Sequence, residues 1–338
     1  MHAELVDTWL ELAARMTIRD LARDAVAPRA SLAAGAAGIA FVASAIGRAR
    51  GDGQAIAIGR RWQAIARRAA MRRDGFRPKG WPACAGSVMY GPTGLAAVAV
   101  VAGPSARSIA DYVAIVRRRM ARAPAEIVLG LAGQLLAAIT IARATDAPAV
   151  RALVRDLRAR LAAQPAPPVG AFAHGDVGAI AARLAAARAL GEPADAAPVA
   201  ALAAIEPAHV LARGGSLVRS WCNGLAGHAL AWVLAAEVAG DERCRDHAFA
   251  AGCHLLEALD EAGGDLCCGL AGRAYALLAI ARLDPRGPWI EHAHQLATRA
   301  IAHDVAQGGL LKGLPGVICL LHDLAAPQTA RFPLVDVV

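Results

Sequence analysis

The stretch Gly224-Leu225-Ala226-Gly227, which opens an almost uncharged helix predicted over Leu225–Glu237, decides the fold because its pattern occurs seven times in the chain. Each copy consists of a Gly-x-x-Gly element followed by an apolar run. Self-similarity of this kind indicates a repeat architecture, and it has to be recognised before any other feature is interpreted. The first glycines of the seven elements are Gly35, Gly91, Gly130, Gly175, Gly224, Gly269 and Gly313.

The spacing of these elements predicts two helices in each repeat. Consecutive first glycines are 39 to 56 residues apart, which is too long for one helix and a turn. The uncharged helix of a repeat is followed by an arginine-bearing one, such as Ile109–Arg119 or Arg243–Glu261. Helices that are apolar on all sides are buried, and helices with a charged face lie outside. The sequence therefore predicts an all-α fold, a closed α/α toroid of seven inner and seven outer helices.

Composition agrees with a helical fold built around one large core. Of the 338 residues, 57% are hydrophobic and 19% are charged, which excludes a disordered chain. There are only 6 Trp, 3 Tyr and 5 Phe, so small aliphatic residues have to fill the interior, and alanine is the best helix former. The proline-containing stretches Gln164–Gly170 and Gly191–Pro198 fall between predicted helices. We interpret them as loops, and residues 1–338 as a single domain.

The charge of the chain limits its partners. The net charge of +8 favours an acidic partner. Eight positive charges and one acid lie between Arg60 and Lys79, which is typical of the solvated face of an outer helix; a docking surface is the alternative. The basic residues are not interleaved with aromatic side chains for base stacking, so we do not expect nucleic acid to bind.

Several features predict a cytoplasmic protein. The longest uncharged helical candidate, Ile127–Ala142, has 16 residues, below the roughly 18 that a membrane span needs. Peripheral association with a membrane surface stays open. Glu4, Asp7 and Glu11 stand where a signal peptide carries positive charge and then an apolar run. Seven cysteines at irregular spacing do not resemble a disulfide framework and favour a reducing compartment.

Cysteines stand just before two neighbouring repeat glycines, in Trp221-Cys222-Asn223-Gly224 and in Cys267-Cys268-Gly269. Because the repeats are related by the symmetry of the ring, we expect the three thiolates to converge at one end of the barrel. Zinc prefers sulfur ligands, and three of them leave a fourth position open for chemistry. The competing interpretation is that cysteine packs as a small hydrophobic residue. We apply it to the four remaining cysteines, Cys84, Cys244, Cys253 and Cys319.

One histidine lies at the matching place in the fourth repeat. His174 directly precedes Gly175, in the repeat before that of Cys222. A lone histidine is more often structural than catalytic, but this position favours a role in the chemistry of the site.

Together these residues resemble the LanC-like family, which includes lanthionine synthetase C-type cyclases and the cyclase domains of bifunctional lanthipeptide synthetases. The resemblance rests on the seven glycine elements in order, Trp-Cys-x-Gly, Cys-Cys-Gly, the Ala-His-Gly element, and an ending similar to the family's, Gly313 through Leu324 to Phe332-Pro333. It implies an α/α toroid with a zinc ion (Zn²⁺) that binds the thiol of a substrate cysteine. The thiolate adds to dehydroalanine or dehydrobutyrine and closes a thioether ring.

The resemblance also implies roles for individual residues. Cys222 and Cys267 match the two cysteine ligands of the family, and Cys268 stands where many members have histidine, a variant similar to that of some bifunctional synthetases. Three thiolates on a dication leave a net negative charge, which makes a bound substrate thiolate more nucleophilic. His174 matches the general acid/base. Glu126, four residues before Gly130, stands where members often have an acidic residue.

Two departures from the family pattern bear on function. Many cyclases have tyrosine or histidine after the first ligand, and this chain has Asn223, which can only form hydrogen bonds. No stretch is left to act as a dehydratase, so we expect a separate dehydratase to supply a dehydrated precursor peptide, unless the chain is part of a split or fused system. Two alternatives stay open: addition of glutathione or another small thiol to dehydroamino acids, and a non-catalytic zinc-containing module that binds peptides.

Overall fold

The computed structural model describes residues 2–23, 29–72, 75–76, 86–165, 170–257, 262–303, 305–306 and 308–334. These residues form fifteen α-helices and no strand. None of the described helices is long and apolar enough to cross a membrane. The helices are α1 (His2–Arg15), α2 (Ala36–Arg50), α3 (Gly53–Ala70), α4 (Pro92–Ala102), α5 (Ala106–Arg119), α6 (Leu131–Thr145), α7 (Pro148–Ala163), α8 (Asp176–Leu190), α9 (Ala196–Ala203), α10 (Pro207–Ala212), α11 (Leu225–Ala239), α12 (Glu242–Leu256), α13 (Leu270–Leu283), α14 (Trp289–Ile301) and α15 (Leu314–Asp323).

Seven of these helices form a closed inner ring, as the sequence predicted. They are α2, α4, α6, α8, α11, α13 and α15, and the first glycine of a repeat is the N-cap of each one. Each inner helix contacts the next, and α15 contacts α2. All seven N-termini therefore lie at one end of the barrel, which we call the mouth.

The outer layer also has seven positions. Six follow their inner helices along the chain: α3, α5, α7, the short pair α9 and α10, α12, and α14. The seventh is α1, which packs against α15 and so joins the two ends of the chain. The arginines Arg60, Arg67 and Arg68 are exposed on α3, an outer helix, whereas Lys79 and Cys84 lie outside the described residues.

In six of the seven elements, the second glycine admits the loop that precedes its helix. A Cβ atom at Gly227 would overlap the carbonyl oxygen of Trp221 and the side chain of Phe172 in the preceding repeat. A Cβ atom at Gly272 would likewise overlap the Leu266 carbonyl oxygen. Glycine thus lets these loops fold back on their own helices and lets neighbouring repeats approach closely.

Backbone hydrogen bonds join these loops around the mouth. The residue two positions before a repeat glycine donates its N–H to the carbonyl of its equivalent in the next repeat. The bonds run from Ala173 to Cys222 (2.7 Å), from Cys222 to Cys267 (3.2 Å) and from Cys267 to Leu311 (3.0 Å). We call the seven residues at this position the belt: Ala33, Met89, Val128, Ala173, Cys222, Cys267 and Leu311.

The belt closes on itself. Leu311 donates to Ala33 and Ala33 to Met89, both at 3.0 Å, and Val128 donates to Ala173 at 3.2 Å. Between Met89 and Val128 a side chain makes the connection, because the Ser87 hydroxyl donates to the Val128 carbonyl. Equivalent residues of the seven repeats are therefore held at the same height.

The belt separates a buried layer from an accessible one. The residues that precede the belt positions are fully buried: Leu32, Val88, Ile127, Phe172, Trp221, Leu266 and Leu310. The residues that follow them, directly before the repeat glycines, are partly or fully exposed, and we call them the rim: Ala34, Tyr90, Leu129, His174, Asn223, Cys268 and Lys312. A side chain that acts on a substrate at the mouth therefore belongs to the rim or the belt.

Candidate metal centre

Three cysteine side chains converge at the mouth, as the sequence predicted. The Cys268 Sγ atom lies 3.6 Å from that of Cys222 and 3.7 Å from that of Cys267. The three sulfur atoms lie within 4.8 Å of one another. The three cysteines do not share one position in the repeat. Only Cys268, like His174, directly precedes its repeat glycine, whereas Cys222 and Cys267 are equivalent belt residues one position earlier.

The sulfur spacing fits a tetrahedral zinc ion. Zinc–sulfur bonds of about 2.3 Å in tetrahedral geometry hold two sulfur atoms about 3.8 Å apart. The separations at Cys268 are close to this value. Thiolates are soft ligands that select zinc over hard cations such as magnesium or calcium. Among the described residues, this is the one group of three or more cysteine, histidine or acidic side chains whose donor atoms lie this close together.

The three thiols differ in their readiness to ionise. The pKa of Cys268 lies far below its ordinary value because the Cys222 and Cys267 thiols form hydrogen bonds to its sulfur and Lys312 lies beside it. The pKa of Cys267 is raised by its hydrogen bonds with Cys222 and Cys268 and by burial. These contacts therefore favour ionisation at Cys268 more than at Cys267.

Neighbouring polar groups hold the cysteine loops in place. The Asn223 amide donates a hydrogen bond to the Cys222 sulfur over 3.4 Å, so the residue that departs from the family pattern contacts a predicted ligand. The Ser220 hydroxyl also lies 3.4 Å from that sulfur. In the next repeat, the Asp265 carboxylate accepts the backbone N–H of Cys268 at 2.7 Å.

Lys312 is a member of the site that the sequence analysis missed. Its Nζ atom lies 2.9 Å from the Cys268 sulfur and 3.7 Å from an Asp265 carboxylate oxygen. Its position could have revealed it, because Lys312 directly precedes its repeat glycine, as do Cys268 and His174.

His174, the predicted general acid/base, and Glu126, the acidic residue singled out with it, lie in contact. His174 Nδ1 is 2.8 Å from a carboxylate oxygen of Glu126. The other Glu126 oxygen accepts the backbone N–H of Leu129, and this carboxylate is only 6% exposed. The His174 side chain is 44% exposed at the rim. The carboxylate fixes the ring through Nδ1, which leaves Nε2 for proton exchange at the mouth.

The closing segment of the chain supports the cysteine loop from below. The Trp221 ring is fully buried and stacks on Phe332 at a centroid distance of 4.8 Å. It also meets Phe172 edge to face at 5.6 Å. Such aromatic contacts add to the burial of large side chains and fix their orientation.

The cysteines assigned to packing stay apart from the cluster. Cys244 and Cys319 are buried, as expected for packing residues, but the packing interpretation is wrong for Cys253, which is exposed on α12. None of these three belongs to the group that could hold a metal ion.

Comparison with known proteins identifies the family. The family described as "Lanthionine synthetase C-like protein" matches residues 8–337. Among solved structures, one titled "Nisin cyclase" is similar with a TM-score of 0.65 and 13% sequence identity, over 96% of this chain and 93% of that one. At this identity the structural likeness shows the α/α toroid fold alone. The family match spans nearly the whole sequence, and the chain therefore belongs to the lanthionine synthetase C-like family.

Proposed function

We propose that this protein is a zinc-dependent lanthipeptide cyclase. It adds cysteine thiols of a dehydrated precursor peptide to dehydroalanine or dehydrobutyrine and forms thioether rings. The observation that carries the proposal is the cluster of Cys222, Cys267 and Cys268, spaced for a tetrahedral ion. Membership of the family and the similarity to a cyclase support it.

Cys222, Cys267 and Cys268 are the residues that would hold the metal ion. A zinc ion at this site would act as a Lewis acid and would lower the pKa of a substrate thiol that binds it. The cluster lies at the mouth, where Cys268 is partly exposed, so a cysteine of a bound peptide can approach it.

His174 handles the proton of the reaction. A carbon–sulfur bond forms at Cβ of the dehydroamino acid, its carbon–carbon double bond becomes single, and Cα takes up a proton. The substrate thiol loses one proton, so no net proton is consumed. Nε2 of His174 can accept the thiol proton and return it to Cα, and a general acid/base contributes about 100- to 10,000-fold.

Glu126 positions His174 rather than contacting the substrate. It is buried and forms its hydrogen bonds to His174 and to the loop backbone. A separate dehydratase would supply the substrate peptide, and we place both enzymes in the cytoplasm, where thiols stay reduced.

Ring closure by the purified protein tests the proposal directly. The substrate is a peptide with one cysteine and one dehydroalanine, and free thiols are alkylated before mass spectrometry. Ring closure leaves the peptide mass unchanged and blocks alkylation. We expect alkylation-resistant product with zinc-loaded protein, its loss after chelation and its return with added zinc.

Two other outcomes would replace the cyclase assignment. In a parallel reaction with glutathione, preferential gain of one glutathione mass would indicate addition of small thiols. Binding of the peptide without consumption of either thiol by zinc-loaded protein would indicate a peptide-binding module.

A further inference from the structure

The amino group of Lys312 contacts the cysteine cluster, but the proposed chemistry does not use it. It lies 2.9 Å from the sulfur of Cys268, one of the three cysteines of the cluster. The residue is half-buried at the rim, in the repeat next to that of Cys268. An ammonium group at this distance donates a charge-assisted hydrogen bond to a thiolate, which is stronger than a hydrogen bond between neutral groups.

We propose that Lys312 is a positioning residue that compensates the charge of the third thiolate: its hydrogen bond to Cys268 Sγ strengthens metal retention and restrains the nucleophilicity of a sulfur bound to the same ion. This inference rests on the proposed zinc centre. It goes beyond that centre because it assigns a role to a side chain that binds neither metal nor substrate.

The charge of the site supports this role. Three thiolates on a dication leave one net negative charge, and Lys312 supplies one positive charge at the third ligand. Asp265 contributes a further negative charge 3.7 Å from Nζ and also accepts the backbone N–H of Cys268. The ammonium group thus lies between two anionic groups of the same loop. Without Lys312, this partly buried cluster would hold two more negative than positive charges.

Lysine suits this role better than arginine does. The chain has 36 basic residues, and only Lys79 and Lys312 are lysines. A guanidinium group spreads its charge over a planar fork that matches carboxylates, whereas an ammonium group is a compact point charge on a flexible stem. A single sulfur atom is a target for the compact group.

A purely structural role makes a different prediction. The side chains of Lys312 and Asp265 are 39% and 19% exposed. If Lys312 served only its ion pair with Asp265, that pair would contribute little to stability. The metal affinity would then not depend on Lys312. Metal affinity therefore separates the two roles.

The test compares Lys312→Met with Lys312→Arg in the full chain. Zinc affinity is measured by competition with a chelator, and the sulfur-to-metal charge-transfer absorption is recorded after substitution with cobalt. We expect Lys312→Met to bind zinc about 10- to 100-fold more weakly, the usual effect of removing a partner of a metal ligand. Its charge-transfer band should move to longer wavelength, because the sulfur becomes more electron-rich. Lys312→Arg, which keeps the charge, should recover part of both properties.

Ring closure per bound zinc provides a further readout. It should become faster in Lys312→Met, by about 3- to 10-fold, because thiolate reactivity rises with basicity. Arg151→Met is the matched control: it removes an exposed cation from α7, where Arg151 pairs with Asp146, and should change none of the readouts.

Unchanged zinc affinity and an unchanged cobalt spectrum in Lys312→Met would overturn the inference. So would a slower rate per bound zinc at unchanged affinity, because Lys312 would then act on the substrate. The metal readouts do not depend on ring closure. A wild-type protein that binds zinc but closes no ring would contradict the proposed function, while its variants would still decide the role of Lys312.

Discussion

The first three and the last four repeats of the ring share one backbone but differ in what they present at the mouth. The rim of the first three carries Ala34, Tyr90 and Leu129, and that of the last four carries His174, Asn223, Cys268 and Lys312. In both parts the fully buried layer beneath the belt is apolar. The glycines and the buried layer therefore account for the fold, and the belt and rim positions of the last four repeats carry the cysteine cluster, His174 and Lys312.

The two parts meet at the boundary between the third and fourth repeats. Glu126 belongs to the loop before α6 and reaches His174 in the loop before α8. The third repeat thus contributes a buried carboxylate to the site, although its rim residue, Leu129, is apolar. The comparison predicts that substitutions at the mouth impair function in the last four repeats and not in the first two.

Removal of a predicted zinc ligand is expected to have the largest effect. Purified protein should hold about one zinc ion per chain. Cys222→Ala, Cys267→Ala and Cys268→Ala should each lose it and with it all ring closure, because two remaining thiolates cannot complete the ligand set. Zinc is measured by elemental analysis against protein concentration.

A cysteine outside the belt and the rim is the control for this prediction. Cys253 is exposed on α12, and Cys253→Ala should keep the full zinc content. Complete retention of zinc by Cys268→Ala would remove Cys268 from the ligand set. It would also contradict the proposal that the last four repeats differ from the first three by carrying the metal ligands.

Substitution of the rim histidine should have the next largest effect. His174→Asn keeps a polar side chain but cannot take up a proton at neutral pH, so ring closure should slow by about 100- to 10,000-fold. Zinc content and the thermal unfolding transition should stay as in the wild type, because His174 contacts Glu126 and not a cysteine. The rate is measured by the alkylation assay under single-turnover conditions.

Two variants show whether the effect belongs to this part of the rim. Glu126→Gln should give an intermediate loss of about 10- to 100-fold, because it leaves the histidine in place with a weaker partner. Tyr90→Phe, at the equivalent rim position of the second repeat, should cyclise at the wild-type rate. An unchanged rate of ring closure in His174→Asn would exclude His174 from proton transfer.

Features that depend on neighbouring residues in the sequence can be predicted from it, whereas features that depend on contacts between distant parts of the chain cannot. The inner helices follow from local patterns, because each begins at its repeat glycine and continues as an apolar run. The convergence of Cys222, Cys267 and Cys268 follows from the repeat symmetry. Periodicity does not reveal that α1 is the seventh outer helix, since this depends on contact between the two ends of the chain.

Contacts between individual side chains are not predictable from these patterns. The sequence singles out His174 and Glu126 separately, but their hydrogen bond joins residues 48 positions apart. Lys312 contacts Cys268 across 44 positions. Such pairs depend on how adjacent loops are shifted relative to one another. The backbone hydrogen bonds of the belt determine this shift, and it does not follow from the residue types alone.

A smaller effect is expected from changing one ligand type while keeping the ligand count. Cys268→His recreates the ligand set common in the family, and neutral imidazole is a good zinc ligand. The substitution removes one negative charge from the centre, so a bound substrate thiolate should lose nucleophilicity and ring closure per bound zinc should slow by about tenfold. The loss should be greatest for poorly positioned rings, because proximity already lowers the barrier of preorganised ones.

Lys312→Met changes the charge in the opposite direction and should accelerate ring closure per bound zinc. If charge controls reactivity, the two variants move the rate to opposite sides of the wild type, measured by time-resolved alkylation with zinc content determined on the same samples. An equal or faster rate for fully metallated Cys268→His would contradict control by charge and would leave the geometry of the cysteine cluster as the feature that distinguishes this part of the mouth.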